Sequence, residues 1–306
     1  MATESISTLV IDDIPPPISI TIPKRKDLPN KSKLWKDVKL PIDILLLTVK
    51  EYEFLSCYYF LKNSFRSNST RLGIVYFGEM GGDHSPKLRV ALMTCSEGSS
   101  VPGGSLVVVK NAVTVLKPKA VFCVGACLGL QRSKAKLGDV VVSSKLTQYA
   151  GKNVSDGGAQ PTGGARVPVS RDVSRLIRHA GDGWKAPLAQ NSSERDIEVH
   201  CDAEYLSGPE FVRAKWRCDE LVAMHPEALA IDMEGEGESG ANLRDQSFFL
   251  WGRGGWWEFR GGGKATCKQM AIKGGYPKKI KGKTGCQGVK YCYSYCAKTL
   301  KWHIMF

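Results

Sequence analysis

Hydrophobic positions along this chain fall mostly in short continuous runs rather than in alternation with polar ones. Ile42-Asp-Ile-Leu-Leu-Leu-Thr-Val49, Leu88–Thr94, Ala120–Val124, Asp139–Ser143 and Ala228–Met233 each read as a strand buried on both faces. Leu72–Tyr76 and Ile197–His200 read as further strands. After the first run the apolar spacing becomes helical. Glu51 and Glu53 stand in a first turn, where carboxylates suit the positive end of the helix dipole, and Phe54, Leu55, Tyr58 and Leu61 share one face. Helices are also predicted over Ser105–Leu116, Arg171–Ala180 and Glu210–His225. Glycine-rich loops follow the strands, at Gly78 to Ser85, Ser96–Gly104, Gly125–Gly129 and Gly151 to Val167. Alternating strands and helices predict an α/β fold that takes its ligands beyond the carboxyl ends of the strands.

The two flanks break this pattern. In residues 1–39, Pro15-Pro-Pro17, Pro23 and Pro29 interrupt any period and lysines keep the segment solvated, which predicts a disordered leader with an extended patch at Ile18–Ile22. Past Gly237 the strand–helix alternation gives way to glycines, Trp251, Trp256, Trp257 and a series of lysines. Ser247–Trp251 and Trp256–Phe259 are predicted to pair as a hairpin around the intervening glycines. The expected organisation is a leader over 1–39, a folded domain over 40–237 and a basic Gly/Lys/Trp-rich tail over 238–306.

Composition narrows the class. Hydrophobic residues make up 42%, enough for a core, and no apolar run approaches the ~18 residues of a membrane span. The first residues lack the charged–apolar–small order of a secretory signal, and Glu4, Asp12 and Asp13 argue against a mitochondrial presequence, so a cytoplasmic protein without a membrane partner is expected. Ten cysteines without regular close spacing read as reduced thiols. The net charge of +13 is concentrated in the tail, where 13 Lys and Arg meet 3 acids. Arg253-Gly-Gly and Arg260-Gly-Gly-Gly among aromatics resemble nucleic-acid-binding segments, beside the plainer reading of a solvated basic extension. Cys286, Cys292, Cys296 and His303 fit no common zinc spacing, and neither metal nor cofactor is expected.

Chemistry-bearing acids occur at Glu51/Glu53, at Glu97 and at Asp232/Glu234/Glu236. Each alone fits a solvated helix start or loop. Glu234, however, ends an apolar run, where a carboxylate can accept two hydrogen bonds from neighbouring hydroxyls such as those of a ribose. Gly125-Ala-Cys-Leu-Gly129 is not a dinucleotide fingerprint and also fits a tight turn, but glycine there would let bare backbone approach a ligand.

Five ordered motifs, spanning roughly Ile42 to Gly237, carry a family resemblance. They are the apolar strand leading to Lys50-Glu-Tyr-Glu-Phe54, Val124-Gly-Ala-Cys-Leu-Gly129, Leu137-Gly-Asp-Val-Val-Val-Ser143, Leu206-Ser-Gly-Pro-Glu-Phe211 and Ile231-Asp-Met-Glu-Gly235. Together they resemble the nucleoside phosphorylase superfamily, which includes purine and uridine phosphorylases and the methylthioadenosine/adenosylhomocysteine nucleosidases. The resemblance implies a mixed, partly barrel-like sheet flanked by helices, homo-oligomeric assembly, and cleavage of a purine nucleoside's N-glycosidic bond by phosphate or water. It implies that Glu234 binds the ribose hydroxyls, Met233 packs on the sugar, Phe211 stacks on the base, Glu53 positions water, and Gly125 and Ala126 line the nucleophile pocket. Phosphate is then the candidate co-substrate.

Two departures qualify the activity. Cys123 and Ala126 stand where phosphorylases of this type commonly have an arginine and a serine or threonine, which removes the groups best suited to grip phosphate; Arg132 and Lys134 lie nearby in sequence. After Glu234 the family continues with a helix, a strand and an aspartate that protonates the purine, whereas the tail matches none of these. The fold is expected to be incomplete at its C-terminal end. An enzyme and a catalytically impaired nucleoside-binding module both remain open on the sequence.

Overall fold

The computed structural model describes residues 18–28, 30–82, 86–131, 133–136, 138–150, 152–155, 158–161, 166–169, 171–189, 197–212, 214–233 and 235, and the backbone of 247–255, 258–260 and 264–266. Its elements run β1 (Ile44–Thr48), α1 (Glu51–Tyr59), β2 (Lys62–Ser69), β3 (Gly73–Met80), β4 (Leu88–Thr94), α2 (Ser105–Leu116), β5 (Ala120–Gly129) and β6 (Val140–Gln148). There follow β7 (Lys152–Ser155), β8 (Gly158–Pro161), β9 (Arg166–Pro168), α3 (Arg171–Arg178), β10 (Val199–Ser207), α4 (Lys215–Met224), β11 (Ala228–Asp232), β12 (Ser247–Gly255), β13 (Glu258–Arg260) and β14 (Lys264–Thr266).

β1 shows why its run is continuously apolar. Alternate strand residues point to opposite faces, and both faces are covered. Ile44 and Leu46 join Phe54 and Tyr58 of α1, while Leu45 and Leu47 join Val109, Ala112 and Leu116 of α2. β1 lies parallel to β4 on one side and to β5 on the other. The main sheet runs β11-β10-β6-β12-β5-β1-β4-β3-β2, with β9 added on β6. β11 also pairs antiparallel with β5, Ala230 opposite Gly129 and Ile231 opposite Leu128. The β5 side of the sheet thus curls back on itself while the β2 side stays open, giving the mixed, partly barrel-like sheet expected. None of the helices among the described residues is long and apolar enough to cross a membrane.

Several elements differ from the sequence expectation. β2 was not foreseen because Lys62-Asn-Ser-Phe-Arg-Ser-Asn-Ser69 is polar; it ends the sheet order and follows its β3 ladder rather than a buried pattern. Of the predicted disordered leader, residues 1–17 and 29 lie outside the described residues, but the rest is docked. Ile18, Ile20 and Ile22 alternate with polar residues and pack against the α1-side core, and the Ser19 N–H donates to the Pro187 carbonyl at 2.8 Å. Gly125–Gly129 is not a loop: β5 continues through it, because β12 and β11 complete its hydrogen-bond ladder.

The hairpin expected between Ser247–Trp251 and Trp256–Phe259 is likewise replaced. β12 runs parallel to β5, from Ser247 opposite Ala120 to Gly255 opposite Leu128, and antiparallel to β6 at Trp251–Val142, Gly252–Val141 and Arg253–Val140. Phe259 pairs instead with Ala265 in the β13–β14 ladder. The compositional break near Gly237 is not an edge of the sheet, since β12 beyond it pairs with both β5 and β6.

Candidate functional site

Glu53 is the residue around which the candidate site forms. It occupies the third position of α1 and is only 3% exposed. Its Oε2 accepts the Val49 N–H at 2.7 Å and the Lys50 N–H at 2.8 Å, so the carboxylate closes the first turn of the helix that leaves β1. Its Oε1 accepts the Ala126 N–H at 3.3 Å. A Cβ added to Gly125 would sit 3.5 Å from that same oxygen. Glu53, Gly125 and Ala126, 72 or more positions apart in the sequence, are thus brought into direct apposition. A carboxylate oxygen can accept two hydrogen bonds, and the one from Ala126 ties Oε1 to the glycine-bearing stretch of β5.

Half-buried Met233 immediately follows β11, whose Ala230 and Ile231 pair with Gly129 and Leu128 at the end of β5. Asp232 turns the chain there by accepting the Gly235 N–H at 3.2 Å. Glu234 and Glu236 lie outside the described residues.

Phe211 follows β10, whose last residue, Ser207, pairs with Asp232 of β11, so it belongs to the same end of the sheet. Phe211 is 49% exposed, whereas its neighbour Val212 is buried with Leu206, Leu221 and Ile231. The segment carrying Phe211 is pinned from two sides. Arg217 donates from Nε and Nη2 to both carboxylate oxygens of Glu210, at 2.7 and 2.8 Å, and lies over the Tyr149 ring. Tyr149 donates its hydroxyl to the Glu210 carbonyl at 3.3 Å, and burial, then the Glu210 charge, push its pKa up, so it stays a protonated donor. A Cβ on Gly208 would lie 2.7 Å from the Tyr149 ring, which accounts for the glycine in Leu206-Ser-Gly-Pro-Glu-Phe211. Sequence reasoning missed Tyr149; nothing local distinguishes it from a core aromatic.

The loop after β4 supplies another wall. Glu97 pairs with Lys50, whose backbone N–H is bound to Glu53. The Gly98 and Ser99 carbonyls accept the Ser105 and Leu106 N–H groups and cap α2. Gly104 makes this possible: a Cβ there would meet the carbonyl oxygens of Gly98, Ser99 and Val101 at 2.4, 2.7 and 2.9 Å. Gly104→Ala is expected to destabilise the protein by about 1–3 kcal/mol, read as a lowered urea midpoint at unchanged m-value.

Among the described residues one cluster has metal-ligand character: Asp139, Glu198 and His200, at the starts of β6 and β10. Asp139 is already engaged, with Oδ2 accepting from the Lys136 N–H and paired to His200 Nε2, and Oδ1 accepting the Glu198 N–H. It fastens the two strand starts to each other. Lys134 donates to the Pro226 carbonyl rather than standing at the β5 pocket, and Arg132 lies outside the described residues.

A curled α/β sheet with a buried carboxylate facing a glycine-bearing strand defines the class. The chain belongs to the phosphorylase superfamily, whose family model matches residues 49–238. It is 25% identical over 175 residues to the death domain-containing ATP nucleosidase of the sponge Amphimedon queenslandica, a match covering 53% of this chain and 32% of the relative. The chain therefore spans about a third of the length of that curated relative. The 5′-methylthioadenosine/S-adenosylhomocysteine nucleosidase of Neisseria meningitidis, solved with methylthio-immucillin-A, is similar in fold, with a TM-score of 0.59 at 15% identity over 86% of this chain and 98% of that one. A Borrelia burgdorferi B31 structure described as a nucleosidase of the same type, bound to adenine, gives 0.59 at 16% identity over 85% and 98%. These shares exceed what residues 1–238 alone supply, so the likeness in fold includes part of the chain beyond the family match.

Proposed function

We propose that this chain binds a purine nucleoside at the Glu53–Ala126 pocket and hydrolyses its N-glycosidic bond. The observation that carries the reading is the buried Glu53 carboxylate, held on Oε2 by two backbone N–H groups and presenting Oε1 beside Ala126 and Gly125. As the C1′–N bond loosens, positive charge builds on the ribosyl group and a nucleophile must approach C1′. A water held by Glu53 Oε1 would give its proton to the carboxylate as its oxygen bonds to C1′, and the electron pair of the broken bond would leave with the base. Phe211, half exposed and fixed in position, suits a stacking role against the base, and Met233 an apolar wall for the sugar.

Water is favoured over phosphate as the nucleophile by the residues of β5 beside Glu53 Oε1. Cys123 and Ala126 offer neither a guanidinium nor a hydroxyl, and among the described residues Lys134 is turned to Pro226. The name of the sponge relative, a nucleosidase, agrees with hydrolysis. Release of free base from adenosine, inosine or methylthioadenosine at the same rate with and without phosphate is the expected result. No release from any of them by folded protein would overturn the reading.

The second reading, a nucleoside-binding module without turnover, is favoured by one observation: no acid in the tail matches the family's purine-protonating segment. Calorimetry separates the two, since this reading requires saturable binding without product. Under both, Glu234→Ala is expected to weaken nucleoside binding by about 10–100-fold, the value of hydrogen bonds from hydroxyls to a charged carboxylate. Homo-oligomeric assembly and a cytoplasmic setting belong to the same reading through the resemblance; nucleic-acid binding by the tail is a separate proposal resting on its charge.

A further inference from the structure

We propose that Lys50 selects substrates bearing an anionic 5′ substituent, so that the pocket's substrate is a nucleoside 5′-polyphosphate such as ATP and the Lys50–Glu97 pair is the element that substrate opens. The proposal rests on the reading of the Glu53 pocket as a nucleoside site.

Three observations converge on it. First, Lys50 is fixed at the pocket by its own backbone, whose N–H is bound to Glu53 Oε2 at 2.8 Å. Its ammonium is therefore confined to within one lysine stem of the carboxylate. Second, the ammonium's ionic partner among the described residues is an exposed acid. Lys50 and Glu97 are 41% and 48% exposed, and the pair joins the start of α1 to the loop after β4. An exposed ion pair contributes only about 0.2–1 kcal/mol, so a polyphosphate carrying several charges can displace one carboxylate. Third, α2 does not compete for the anion. Its first N–H groups, on Ser105 and Leu106, are taken by the Gly98 and Ser99 carbonyls. The side-chain ammonium is thus the charged donor that this wall can turn to a phosphate among the described residues, acting as a compact point charge. The sponge relative's name, an ATP nucleosidase, is consistent with that substrate class.

The test is calorimetric titration of the full chain with adenosine and with ATP, without added magnesium, for the wild type, Lys50→Met and Glu97→Gln, each checked for native circular dichroism. Both substitutions keep the backbone N–H that holds Glu53. Wild type is expected to bind ATP more tightly than adenosine, and Lys50→Met to reduce that preference by about tenfold or more. Glu97→Gln is expected to tighten ATP by about two- to fivefold, because the competing carboxylate is gone, and raised salt to weaken ATP far more than adenosine. An unchanged ATP-to-adenosine ratio in Lys50→Met overturns the proposal, as does a wild type that binds adenosine but prefers it to ATP; both leave the nucleoside pocket standing. A wild type that binds neither ligand removes the pocket and this proposal together.

Discussion

Glu53→Gln is expected to lower the rate of base release by about 10²–10⁴-fold, with little change in KM. The carboxylate has two jobs, and an amide can perform only part of each. Oε2 accepts two backbone N–H groups and Oε1 accepts a third from Ala126. A glutamine has one oxygen, so its NH₂ group must face either the α1 turn or the Ala126 N–H, donor against donor. Stability should fall by about 1–3 kcal/mol, and the rate must be expressed per folded molecule, with folded fraction taken from the same sample's denaturation curve. The amide also cannot accept a proton from water at neutral pH. Turnover per folded molecule should accordingly fall, which a purely structural role for Glu53 would not produce. A folded Glu53→Gln protein with wild-type turnover would remove Glu53 from the mechanism.

Phe54→Ala is expected to cost about 3–5 kcal/mol. Phe54 is 2% exposed and lies in α1 directly after Glu53. Its ring meets Tyr76 edge-on at 4.9 Å and stacks with Tyr58 at 6.1 Å, while the Arg25 guanidinium lies 5.2 Å from its centroid. One side chain therefore ties α1 to β3 and to the docked segment before β1. Truncation leaves a cavity that Tyr58 and Tyr76 cannot close without leaving their own rotamers. Chemical denaturation should show a lower midpoint, and limited proteolysis should cut the 18–39 segment sooner. Phe54→Leu, which keeps most of the volume, should cost less than about 1.5 kcal/mol. Equal losses in the two variants would mean that packing volume is not what Phe54 contributes.

The sequence made some of this legible because burial leaves a pattern. The predicted ranges Leu88–Thr94 and Ser105–Leu116 coincide with β4 and α2, whose apolar spacing comes from burial at the faces of the sheet. Glu53 and Gly125 could be named from motifs, but their apposition could not, since it depends on β1 and β5 lying side by side. The glycine stretch was misread as a loop because glycine's local preference for turns was overruled by partners on both sides of β5. β2 was invisible because its residues serve the ladder rather than the core. The predicted Glu210–His225 helix begins only at Lys215; Glu210 lies ahead of it, held by Arg217 of the helix, and Gly208 packs against Tyr149. Lys50 and Glu97 carried no joint signal, being 47 positions apart and unremarkable singly.

The placement of β12 has a consequence for how this molecule comes into being. It enters between β5 and β6, the later of which ends at Gln148, 99 positions before β12 begins at Ser247. Until residues 247–255 arrive, the nascent sheet carries a gap with two open ladders facing each other. Such ladders are templates for any extended chain, including a neighbouring copy, and closing a loop of this span is among the slower steps a sheet can require. The vulnerable period of this protein is thus the interval between making the pocket strand and sealing it. Aggregation during expression should respond more to the segment after 246 than to the pocket itself.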